Sequence, residues 1–224
     1  MKKRIPLSKR QLPSYTKREE IMNMVTHIIG GGLGFLALTL CILVSCLHQN
    51  IPGVIGSAIY GGSMIILYAI SSVYHGLIPC TGKKVMQVID HCSIYILIAG
   101  TYTPILLSAF LPLYPILAWS LLVLEWGFAA LAITLTAIDL RNYRVFSMIC
   151  YIFMGWAIIF FVPQAIIAFT PAGFYWLLSG GIAYTIGAIL YGIGVKRRWM
   201  HSVFHIFVVL GSFLQFLSIF LYVL

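Results

Sequence analysis

The chain has 224 residues, of which 61% are hydrophobic and only 8% charged, and its net charge is +9. A soluble domain needs a more polar surface than that, so the composition excludes an ordinary globular enzyme and points to a polytopic membrane protein. The basic excess leaves nucleic-acid binding open until the positions of the charges are read.

A membrane-crossing helix needs about 20 apolar residues, each rising about 1.5 Å. A basic N-terminal tail (1–21) precedes seven runs that meet this in a transmembrane domain (22–224): 22–47, 54–77, 87–109, 114–138, 145–167, 174–195 and 202–223. The tail is long and polar up to Glu20, unlike a cleavable signal peptide, and the first run is expected to act as an uncleaved anchor. Turn signals separate the runs: Asn50-Ile51-Pro52-Gly53, Pro79-Cys80-Thr81-Gly82, Pro112 to Pro115, Asp139 to Arg144, and Thr170-Pro171-Ala172-Gly173. The fifth run contains Pro163. Backbone groups in lipid must be satisfied internally, so the runs are expected to be helices, and the period-two alternation of a β-barrel is absent. The predicted fold class is all-α.

The 14 basic residues test the count. Lys2, Lys3, Arg4, Lys9, Arg10, Lys17 and Arg18 precede the first run. Lys83 and Lys84 follow the second, Arg141 and Arg144 the fourth, and Lys196, Arg197 and Arg198 the sixth. With seven alternating spans all of them fall on one face, which the positive-inside rule makes cytoplasmic. The expectation is a multi-pass protein of the plasma or inner membrane, N-terminus inside and C-terminus outside. Charges dispersed beside membrane spans suit anionic lipid headgroups and exclude a nucleic-acid surface. Gly30, Gly34, Gly61, Gly62, Gly180 and Gly181 suit close helix contacts, and leave a dimer possible without indicating one. Cys41, Cys46, Cys80, Cys92 and Cys150 form no CxxC pair and read as small buried hydrophobes, with thiolate ligation by Cys80 or Cys92 an alternative.

The same topology brings polar residues together. His75 lies near the inner end of span two, Asp90 and His91 near that of span three, and His201 and His205 open span seven. At helical rise these groups sit on the order of 4–12 Å inside the basic face. His201 and His205, four apart, share a helix face. Alone they would equally suit an interfacial helix end facing headgroup water; together with His75 they form a candidate zinc site with an open fourth position. Zinc lowers the pKa of a bound water to about 7, which Asp90 would hold or deprotonate. Capping of span three is the other reading of Asp90. Ser71, one turn before His75, either orients water or substrate or bonds its own backbone. His91 lies about 100° around the helix from Asp90 and is not expected to ligate. His27 is either an outer partner of the site or an interfacial histidine. His48 has no visible partner. Glu125, in mid-span, needs to be protonated, paired or facing a polar cavity.

These residues in order resemble the hemolysin III branch of the progestin and adipoQ receptor family. The likeness is carried by Glu19-Glu20-x-x-Asn23-x-x-Thr26-His27, by Ser71-Ser72-Val73-Tyr74-His75, by the stretch from Asp90-His91 to Thr103-Pro104, and by His201-x-x-x-His205. It spans nearly the whole chain, and Glu125 has no counterpart in it. The resemblance implies a zinc ion held by His75, His201 and His205, with Asp90 acting through the bound water and Ser71 alongside. Relatives include adiponectin receptors and, more distantly, alkaline ceramidases, which implies hydrolysis of a lipid amide or ester. The alternative it leaves is a non-enzymatic protein with structural zinc, acting in sensing, membrane homeostasis, ion passage or cytolysis.

Overall fold

The computed structural model describes residues 10–194 and 197–224, so Lys2, Lys3, Arg4, Lys9 and Lys196 lie outside the described residues. The described chain is helical, without a strand: α1 (Lys17–Leu47), α2 (Ile51–Gly76), α3 (Thr81–Pro104), α4 (Pro115–Ile138), α5 (Arg144–Gly155), α6 (Val162–Gly194) and α7 (Met200–Ser218). A π-helical segment, Ile105–Phe110, extends α3 beyond Pro104, and Ile219–Val223 extends α7 in the same way.

Local chemistry sets the ends. Thr16 and Glu19 form a reciprocal capping box, with Glu19 N donating to Thr16 Oγ1 at 3.3 Å and Thr16 N to the Glu19 carboxylate at 2.8 Å. The helix therefore begins at Lys17, ahead of the apolar run at 22. Asn50 caps α2 by accepting from Gly53 N at 2.9 Å, with Pro52 in the first turn, where its missing N–H does no harm. After α4, Asp139 accepts from Arg141 N and Asn142 N at 3.1 and 3.2 Å and turns the chain into α5.

Six helical segments among the described residues are long and apolar enough to cross a membrane. The fifth of them, Arg144–Ile193, takes in both of the runs expected at 145–167 and 174–195. It is not a straight rod. Phe169 (φ −143°, ψ 30°) and Thr170 (φ 69°, ψ 157°) leave helical geometry, and Pro171 follows. Trp156 Nε1 donates to Thr185 Oγ1 at 3.0 Å, although these residues would lie about 44 Å apart along a straight helix. The Arg144 guanidinium likewise lies 5.5 Å from the Tyr191 ring centre. The segment thus reverses at Thr170 and runs back beside itself.

α1 and α7 run parallel, joined at one end by Trp199 N to Glu19 Oε1 (2.8 Å) and at the other by His48 Nδ1 to Leu224 O (2.8 Å). The His48 contact corrects the expectation of a histidine without a partner. α1, α2 and α3 meet closely. A Cβ on Gly61 would stand 2.5 Å from Leu38 Cα, and one on Gly56 would stand 2.6 Å from Pro104 Cα. Around this seam Tyr60, Met64, Tyr68, Leu106 and Phe110 are fully enclosed, while Ile29, Phe35, Ile116, Val123 and Phe160 point outward as an apolar belt. An all-helical bundle with that exterior is a multi-pass membrane protein.

Candidate metal centre

His75, in the last turn of α2, and His201 and His205, in the first turns of α7, offer ligand atoms that all lie within 4.8 Å of one another. Nδ1 of His75 lies 2.6 Å from Glu20 Oε2, which can only accept, so Nδ1 carries the proton. Nε2 of His75 is then a free lone pair, buried and without a hydrogen-bond partner. The Nε2 atoms of His201 and His205 lie 3.0 Å apart. Two nitrogens on one tetrahedral zinc are about 3.3 Å apart, so the His201–His205 pair is near that spacing, and the set of three imidazoles suits that ion in type and number. The Nδ1 atoms of both α7 histidines are buried and unpartnered.

Asp90 and Ser71 line one cavity of about 180 Å3 together with His27, His201 and His205. Two open alternatives close here. α3 starts at Thr81 with Cys80 at its cap, so Asp90 does not cap the helix. Ser71 Oγ lies beside the Asp90 carboxyl but has no hydrogen-bond partner, whereas its neighbour Ser72 bonds back to Tyr68 O at 2.7 Å. Ser71 is the hydroxyl left available. The remaining walls are mostly apolar, with Leu67, Ile94, Leu97, Ile98 and Val208 among them and Thr101, Thr185 and Gln215 as polar exceptions.

His27 is buried with its ring 3.8 Å from that of His205, and both its nitrogens lack a partner. It borders the cluster without belonging to it. His91 Nδ1 donates to Gln87 O at 2.9 Å and Nε2 faces the Tyr191 hydroxyl at 3.3 Å, which leaves it out of the cluster as expected. Cys92 Sγ points to Ile133 O and Cys80 is exposed, so neither thiol joins the histidines. Glu125 is buried on α4 with Oε2 unpartnered, and is not among the residues lining the cavity.

Residues the sequence reading did not place at the centre complete it. Lys83 Nζ donates to Glu20 Oε1 at 2.6 Å and to Leu77 O at 2.8 Å. The Tyr15 ring stacks on His201 at 4.8 Å. Burial pushes the Tyr15 phenol above its ordinary value, with Tyr191, Glu20, Asp90 and Glu19 adding to the shift, so the ring lies there neutral. The spacing held a signal for Glu20: Glu20, Asn23 and His27 share one face of α1, and Asn23 Nδ2 lies 3.4 Å from His75 Nδ1.

Comparison with known proteins decides the family. The family model for Haemolysin-III related proteins matches residues 15–216. The chain belongs to that family. It is 38% identical over 207 residues to "Hemolysin-3" of Bacillus cereus, covering 92% of this chain and 93% of the relative. It is 36% identical over 208 residues to the "Hemolysin-3 homolog" of Bacillus subtilis (strain 168), covering 93% and 96%. A more distant relative is the "Adiponectin receptor protein" of Drosophila melanogaster, 24% identical over 225 residues, covering 88% of this chain and 49% of the receptor. The hemolysin III chain thus sits within the wider progestin and adipoQ receptor family, as its motifs indicate.

Proposed function

We propose that this protein is a zinc-dependent hydrolase of a lipid amide or ester that works from within the bilayer. The observation that carries this is a mostly apolar cavity lined by His201, His205, Asp90 and the unpartnered Ser71 hydroxyl, with His75 beside the two α7 histidines. When bound, zinc supplies a Lewis acid and a water acidified to near neutrality. His75, His201 and His205 hold it. Asp90 accepts the proton released as water attacks and returns it to the leaving amine or alcohol. Ser71 Oγ–H donates to the carbonyl oxygen as its charge builds. Leu67, Ile94, Leu97 and Ile98 hold the acyl chain and keep bulk water away.

The same reading assigns seven crossings, the segment Arg144–Ile193 making two of them about the reversal at Thr170. The N-terminus is then cytoplasmic and the C-terminus outside. Supporting it, Lys17, Arg18, Lys83, Lys84 and Arg144 in helices, and Arg141, Arg197 and Arg198 in the connections between them, all sit at the histidine end of the bundle. Anionic headgroups are the proposed contacts of that end.

The test is incubation of the purified protein with a panel of ceramides and phospholipids, reading released fatty acid by mass spectrometry against His205→Ala. Zinc-dependent release lost in the variant is expected. Absence of any release above the variant across the panel overturns the hydrolase. The second reading is a non-enzymatic protein in which zinc pins α2 to α7, serving sensing, homeostasis, ion passage or the cytolysis that the names of the bacterial relatives suggest. It is favoured by the ligands bridging two helices, and predicts that zinc removal lowers the melting temperature with no lipid turned over.

A further inference from the structure

We infer that Glu20 is a positioning residue for the metal centre: anchored by Lys83, its carboxylate fixes His75 so that Nε2 is the nitrogen offered to the ion. The inference rests on the cluster being a metal site, and goes beyond it in naming what orients the ligand.

Both carboxylate oxygens are engaged, Oε2 by His75 Nδ1 and Oε1 by Lys83 Nζ, each at 2.6 Å. His75 and Lys83 are almost wholly enclosed, and Glu20 is mostly so. Lys83 also donates to Leu77 O, the residue closing α2, and lies 5.3 Å from the Tyr74 ring centre. One lysine of α3 therefore braces both the end of the helix bearing His75 and the carboxylate of α1 that holds its ring.

A helix staple is the competing account. A buried ion pair contributes little net stability, because desolvating both charges offsets their attraction. What this pair does contribute is direction. With Nδ1–H committed to Glu20, the His75 ring cannot turn its lone pair away from His201 and His205. A carboxylate behind a ligand imidazole also raises its basicity. Glu19, the adjacent carboxylate, cannot substitute, since it is bonded to Thr16 and to Trp199 N. Asn23 turns its Nδ2, a donor, toward His75 Nδ1 at 3.4 Å, and, being uncharged, is the weaker acceptor even with its amide turned over.

The experiment measures zinc affinity of the detergent-solubilised full chain by chelator competition, and in parallel the melting temperature of the metal-free protein. The chains compared are wild type, Glu20→Gln, Glu20→Asp and the remote turn variant Asp139→Asn. Loss of an outer carboxylate weakens zinc binding about 10–100-fold, the result expected for Glu20→Gln. Glu20→Asp keeps the charge beside Lys83 but draws it back from His75, and is expected to weaken zinc as well while melting close to wild type. It carries the test should Glu20→Gln not fold. Asp139→Asn is expected to lower the melting temperature and leave zinc affinity alone. Nitrogen NMR of His75 in the metal-free protein should show the proton on Nδ1 in wild type and mixed tautomers in Glu20→Gln. Zinc binding within about twofold of wild type by every Glu20 variant that folds overturns the positioning role and leaves the metal site standing. No zinc uptake by wild type overturns both.

Discussion

The seam of α1, α2 and α3 and the face of α4 differ in a way that bears on function. Along the seam, backbones touch: Gly61 leaves no room beside Leu38, nor Gly56 beside Pro104. On α4, Gly127 has nothing within 4 Å of where a Cβ would be. Polar groups divide similarly. At the histidine end of the seam His75, Glu20 and Lys83 form a continuous bonded chain, and the nitrogen left over faces two more imidazoles. On α4, Glu125 presents a single buried oxygen with no partner. A lone unsatisfied group signals a local anomaly, whereas several unsatisfied groups aimed at one point signal a ligand.

Asp90→Asn sharpens this contrast most. It should lower lipid release by about 100-fold or more, the usual contribution of a general base, with zinc content unchanged by elemental analysis. Gly61→Ala comes next. Forcing a methyl against Leu38 Cα should destabilise the chain by about 1–3 kcal/mol in denaturant titration. Gly127→Ala, in open space, should instead stabilise by about 0.5–1 kcal/mol, as alanine does in a helix. Glu125→Gln should do least, leaving zinc content and lipid release within about twofold, since the carboxyl does not line the cavity. A large loss of turnover there would break the division between the two regions.

Much of this was legible from the sequence. Apolar runs and turn residues mark the helices because lipid leaves the backbone few options. Helix periodicity and basic-end counting put His75, Asp90, His201 and His205 at one depth before any contact was known. Other features lay beyond that reach. Lys83 reads as one more topological charge, because net counting does not distinguish a solvated lysine from one folded under Glu20. The turn at Thr170-Pro171-Ala172-Gly173 marks the break in the Arg144–Ile193 segment, while the side chains that tie its two arms together, Trp156 to Thr185 and Arg144 to Tyr191, show only in the structure. Asp90 looked able to cap α3 because the apolar run begins late, while the helix starts earlier on the polar residues from Thr81.

The Tyr15 ring lying flat on His201 gives the amino-terminal arm a share in the architecture. Thr16 locks the arm's exit into α1, and Arg10 reaches across to Ile138 O at 3.4 Å. Residues 10–16 therefore cover one side of the imidazole cluster through Tyr15. Trimming the arm back past Tyr15 would uncover His201.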